Sequence, residues 1–140
     1  MKIADTLFCI ADDHSFRLLR GGPGRMQAVQ AATAADFPDV SKTLTEPGRN
    51  RAVGVSFTHE TGAAIEVERP RLAKHIVAAM QGEWKKGGAD RIVVVAAPKM
   101  LGELRKAMPK DLAQAIVRQH DKDLSDVPDH ALAEHLARLA

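Results

Sequence analysis

The run Arg91-Ile92-Val93-Val94-Val95-Ala96-Ala97 restricts this chain more than any other feature. Past Arg91 it contains no polar side chain, so neither face can meet water, and its β-branched residues favour strand over helix. A strand buried on both faces needs a layer on each side. That calls for α/β architecture rather than a helix bundle or a one-sided sheet. The flanks agree: Gly87-Gly88 stops whatever precedes the run, and Pro98 opens a helix after it. Upstream, Leu72, Ile76, Met80 and Trp84 recur every four residues with Ala73 and Val77 beside them. This period predicts a long helix from residue 67 with one apolar face, Pro70 in its first turn and Gly87-Gly88 at its end.

Ahead of that helix, residues 6–11 form an apolar, β-prone run that Asp12-Asp13-His14-Ser15 ends as a turn. Residues 16–20 read as the second strand of a hairpin, Gly21-Gly22-Pro23-Gly24 as the next turn, and residues 26–34 as a third antiparallel strand. Residues 36–66 hold Pro38, Pro47, Gly48, Gly54 and Gly62 and are expected to be an irregular loop. Within it, Val53, Val55 and Phe57 alternate as an extra edge strand would. After the central run, Pro98 opens a helix through Leu101, Leu104 and Met108, and Pro109 another with Leu112 and Ile116 inward. Residues 120–124 are an edge strand or a loop, and Ser125 or Asp126 caps a last helix through Leu132, Leu136 and Leu139. The expected fold is one three-layer α/β domain over residues 1–140 with a mixed sheet.

With 45% hydrophobic and 27% charged residues, the chain is ordinary for a globular protein and excludes a disordered one. No apolar run is long enough to span a bilayer, and one cysteine, Cys9, excludes an intramolecular disulfide framework. Asp5 stands where a signal peptide would be apolar, so a cytoplasmic protein without a membrane partner is expected. The net charge of +2 is small, but its distribution is uneven. Residues 41–86 carry eight basic against five acidic side chains, residues 99–118 five against two, and residues 119–140 two against five.

Asp12 and Asp13 at the end of the first strand, with Asp121 and Asp123 near the last, raise a metal-dependent nuclease or other hydrolase as the alternative function. Such a site needs three or four converging carboxylates; the central strand supplies none, and Asp90 lies at its wrong end. His14, His59, His75, His120, His130 and His135 show no metal-ligand spacing, and Cys9 reads as a small core residue. No phosphate loop, dinucleotide fingerprint or nucleophile elbow occurs, so neither catalytic residues nor a cofactor or metal is expected. The most suggestive group is basic: Arg49, Arg51, His59, Arg69, Arg71 and Lys74 run through the loop into the helix. Arginine forks match phosphate, and the chain has no tyrosine and few aromatics in this loop, so contact with structured RNA is expected over base stacking.

Three segments resemble a known family. Residues 7–19 (Leu-Phe-Cys-Ile-Ala-Asp-Asp-His-Ser-Phe-Arg-Leu-Leu), residues 90–102 (Asp-Arg-Ile-Val-Val-Val-Ala-Ala-Pro-Lys-Met-Leu-Gly) and Asp121-Lys122-Asp123-Leu124 resemble the bacterial host-attachment protein family. The layout is similar to the middle domain of archaeal and eukaryotic class-one peptide-chain release factors, which implies a ribonuclease-H-like fold of the translational-machinery type. The Gly-Gly-Gln tripeptide of that domain is missing: Gly62-Ala63-Ala64 stands nearest the helix, and Gly21-Gly22 is followed by Pro23. The resemblance therefore implies a cytosolic, non-catalytic binding module. Its expected partners are the ribosome, structured RNA or another protein, and its part in host attachment is indirect.

Overall fold

The computed structural model describes residues 5–22, 25–40 and 57–139. Its sheet has five strands: β1 (Asp5–Ala11), β2 (Ser15–Gly22), β3 (Arg25–Thr33), β4 (Ala89–Ala96) and β5 (Ile116–His120), in spatial order β3-β2-β1-β4-β5. The first three form an antiparallel meander, β1 and β2 joined by a tight turn at Asp12–His14. β4 lies parallel to β1, with Leu7 opposite Ile92 and Ile10 opposite Val95, and β5 lies parallel to β4. Each parallel pairing demands a crossover. Helix α1 (Phe57–Lys85) supplies the first, and α2 (Pro98–Ala107) with α3 (Lys110–Ala115) the second. Helix α4 (Asp129–Leu139) closes the chain.

Strand alternation sorts the core onto two faces. Leu7, Cys9, Ala11, Ile92, Val94 and Ala96 point to the side where Leu72, Ile76 and Met80 of α1 and Leu101 and Leu104 of α2 pack. Phe8, Ile10, Leu19, Val93 and Val95 point to the other side, against Leu132 and Leu136 of α4. The sequence alone predicts burial of Val93 and Val95 together with Leu72, Ile76, Met80 and Trp84, the helix lying across the sheet. The period of two along β4 sends the two valines to the opposite face, while Ile92 and Val94 take the helix side. Cys9 is fully buried, and burial pushes its thiol up to about 12, so it is a core residue.

Three boundaries differ from expectation. α1 starts at Phe57, inside the stretch expected to be irregular, and Pro70 lies in the helix interior rather than its first turn. Pro70 has no N–H to offer the carbonyl four residues earlier, which is why it reads in sequence as a helix start. Ile116 opens β5 instead of ending a helix, because α3 is only six residues long. The last helix begins at Asp129, with Pro128 accepting the first helical hydrogen bonds, so neither Ser125 nor Asp126 caps it. Phe57 is helical; Val53 and Val55 lie outside the described residues.

Two arginines of β2 tie these elements together. Arg20 donates to the carbonyls of Gly87 and Glu83 at the C-terminal end of α1. Gly87 and Gly88, at φ 79° and 91°, turn the chain there in a conformation that other residues rarely adopt. Across the sheet, Arg17 donates to the carbonyls of Leu124 and Val127 and to the carboxylate of Asp129, fastening the approach to α4.

The two-faced core makes a direct prediction. Ile76→Ala should cost about 2–5 kcal/mol in chemical denaturation. Val93→Ala should destabilise separately, and the double variant should equal the sum of the two within about 0.5 kcal/mol, because the sites share no packed neighbours across the sheet. Strong coupling between them would contradict the assignment of faces.

Candidate nucleic-acid interface

A helix advances 100° per residue, so Arg69 and Arg71, two positions apart on α1, face opposite ways. Arg69 turns inward and is 5% exposed. Its Nε and Nη2 donate to the two carboxylate oxygens of Asp13, each at 2.8 Å, and its Nη1 donates to Glu66 at 2.9 Å. Glu66 also accepts from Lys99 Nζ at 3.2 Å. This network joins the β1–β2 turn, α1 and the first turn of α2 on the edge of the sheet where β1 and β4 end. The Arg69 hydrogen bonds hold the carboxyls of both Asp13 and Glu66 below the usual carboxylate range, and Asp13 in turn raises the guanidinium.

Arg71 and Lys74 turn outward. Arg71 is half-exposed, with Nη1 donating to the Asp39 carbonyl at 3.2 Å and standing 3.6 Å from the carboxylate of Glu68. Glu68 is buried and makes no hydrogen bond through either carboxylate oxygen. Lys74 is exposed. One turn further, His75 stacks on Phe37 at a ring-centroid distance of 4.1 Å and meets the Asp39 carboxylate at 2.7 Å. Of the other residues expected at this interface, His59 falls within α1, and Arg49 and Arg51 lie outside the described residues.

Along the same outward face, Val67, Arg71, Lys74, Ala78, Gly82 and Lys85 are all exposed and none is acidic. The small residues Ala78 and Gly82 leave the helix backbone open to close approach, with cations on either side. Sequence reading stopped this basic stretch at Lys74. Extending the helical period to Lys85 would have completed it.

Three of the four carboxylates considered for metal binding, Asp12, Asp13 and Asp123, are engaged in local structure. Asp12 Oδ1 accepts from the backbone N–H groups of His14 and Ser15, both at 2.8 Å, closing the β1–β2 turn. Asp123 accepts from the backbone N–H and hydroxyl of Ser125, which keep its carboxyl low. Asp13 is the partner of Arg69. His120 meets the Leu139 carbonyl at 2.9 Å. Among the described residues, no three His, Cys, Asp or Glu side chains gather as a metal site would need.

A family model for the bacterial archaeo-eukaryotic release factor family 12 matches residues 5–136. The chain belongs to this family. No curated protein matches it. The family match runs from the first residue of β1 into α4, so it takes in the whole five-stranded sheet and the crossover helix α1. The release-factor likeness read from the layout of the chain is thereby shown.

The Asp13–Arg69 pair has a pH signature. A carboxyl held low in the folded state stabilises fully above its unfolded value, about 3.9, and that contribution fades as pH falls through the folded value. Asp13→Asn should cost about 1–3 kcal/mol at pH 7, since it leaves the buried Arg69 with only the exposed Glu66 as counter-charge. The gap between wild type and variant should shrink as pH is lowered from about 4 toward 2. Urea denaturation at pH 7 and pH 3 measures both.

Proposed function

We propose that this chain is a translation-related, non-catalytic module that contacts structured RNA, on the ribosome or elsewhere, through the outward face of α1. The observation that carries this reading is the acid-free exposed row holding Arg71, Lys74 and Lys85, in a chain of a release-factor family. Arg49, Arg51 and His59, which precede that row in the sequence, are included in the proposed RNA contact. Arg69 serves it from within, by fixing the turn on which Arg71 and Lys74 sit. Exposed cations on a rigid helix neutralise phosphates without reading bases, which suits folded RNA.

Several features support the rest of the reading. The order β3-β2-β1-β4-β5, with an antiparallel half and a parallel half, is compatible with a ribonuclease-H-like domain of the release-factor middle-domain type. The missing Gly-Gly-Gln tripeptide speaks against peptidyl-tRNA hydrolysis. No helix among the described residues is long and apolar enough to cross a membrane, and the proposed site of action is the cytoplasm. A role in attachment to host cells follows as an indirect effect of such a module, through proteins whose synthesis it influences.

The test is salt-dependent binding to a ribosomal RNA fragment and to a transfer RNA. Wild type should bind both at about 50 mM salt, with log K falling linearly against log salt. Replacing Arg71, Lys74 and Lys85 together with Ala should weaken both RNAs alike and lower the slope by about 2–3, at roughly 0.7–0.9 per lost contact. Arg69 stays in place in this variant, because removing it would disturb the fold. Failure of wild type to bind either RNA at low salt would end the proposal.

A further inference from the structure

A second site stands apart from the basic row. Between α2, α3 and the edge strand β5 lies a cavity of about 230 Å3. Its floor is Val94 and Leu104, both fully buried, and its walls are the half-buried Met108 and Ile116. At the mouth, the exposed Arg105 and Gln119 face each other, Arg105 Nε donating to Gln119 Oε1 at 2.7 Å. Arg105 pairs with no carboxylate among the described residues; the nearby Glu103 is taken by Lys106 at 3.5 Å. The segment around it is basic, residues 99–118 carrying five cations against two acids.

We propose that this cavity binds a small amphiphilic carboxylate, its apolar tail inside and its carboxylate on Arg105. Volume sets the tail. An apolar cavity of about 150 Å3 takes benzene, so one of about 230 Å3 holds an alkyl chain or ring of about nine heavy atoms. A fully apolar floor offers water no partners, and filling it with hydrocarbon removes apolar surface from water. Charge sets the head group. With Nε committed to Gln119, the two terminal nitrogens of Arg105 keep the paired donor geometry that a carboxylate accepts. Gln119 holds the guanidinium over the opening, so tail and head are recognised by different elements. The position also suits a ligand sensor: the walls come from α2, α3 and β5, the crossover whose closing strand sits on the sheet edge.

Calorimetric titration and thermal melting with octanoate and with octan-1-ol test the proposal. Both should bind saturably and raise the melting temperature, octanoate more strongly. Arg105→Gln should weaken octanoate about tenfold and leave octan-1-ol within about twofold, since only the carboxylate uses the guanidinium. Ala113→Leu, which places a larger side chain on the cavity lining, should reduce binding of both probes. Arg105 and Ala113 are exposed, so both variants should melt near wild type without ligand. The proposal is overturned if octanoate does not bind, if Arg105→Gln binds it as tightly as wild type, or if Ala113→Leu leaves both affinities unchanged. It is equally overturned if the face instead proves to be covered by a second copy, seen as self-association that octanoate does not compete with. None of these outcomes depends on RNA binding.

Discussion

The parallel pairing of β1 with β4 is the constraint on which the rest of the structure depends. Leu7–Ala11 of β1 and Ile92–Ala96 of β4 are buried on both faces, so each of these residues commits to a layer, and the register of Leu7 opposite Ile92 keeps the two commitments in step. A slip by one residue would send Ile92 and Val94 away from α1 and leave Val93 and Val95 in their place. A parallel pair cannot be closed by a turn, so a long connection must cross one face of the sheet, and α1 does so. The meander of β1, β2 and β3 on one side and the β4–β5 pair on the other then extend a sheet whose centre is already determined.

A helix of 29 residues with a proline in its interior is not held in place by its own hydrogen bonds alone. The weakness falls at Pro70, and the neighbouring Arg69 is where the helix is fastened to the β1–β2 turn through both oxygens of Asp13. The far end is fastened by Arg20 to the last carbonyls of α1. Two bidentate arginine clamps, one from the helix to the sheet and one from the sheet to the helix, orient α1 where apolar packing alone would allow sliding. Burying Arg69 carries a desolvation cost, which is offset because its donors meet two carboxylates in good geometry.

Features coded by neighbours in sequence were legible; features coded by distant partners were not. The central strand, the Gly87-Gly88 stop, the opening meander and the apolar stripe of Leu72, Ile76 and Met80 all follow from local period and turn chemistry. Asp12 was legible as a turn residue for the same reason. Pro70 misplaced the helix start, since the proline rule describes a preference that tertiary contacts can override. Ile116 fits a helical period continued from Leu112 and equally a short strand, and only pairing with Ile92 decides between them. Arg69 looked like its neighbours Arg71 and Lys74 because its partner Asp13 lies 56 residues earlier. Arg17 and Arg20 gave no signal at all, their acceptors being mostly backbone carbonyls far along the chain.

On the proposed reading, the division of labour between Arg69 and Arg71 lets one short basic segment serve both stability and binding. Were both arginines buried, the helix would present little charge; were both exposed, nothing would pin it across its proline. The 200° between positions two apart places one on each side. Arg71 retains an internal tie, since the buried and otherwise unpartnered Glu68 lies 3.6 Å from its guanidinium. That tie limits how far Arg71 can swing toward an external phosphate, whereas Lys74 and Lys85, further along the same exposed face, pair with no acid among the described residues. The face is thus graded: an anchored arginine near the network at the end of the sheet, then exposed lysines with no ion pair among the described residues. On the proposed reading, an anchored origin with long, exposed cations beyond it lets one helix face meet a phosphate backbone without disturbing the core beneath.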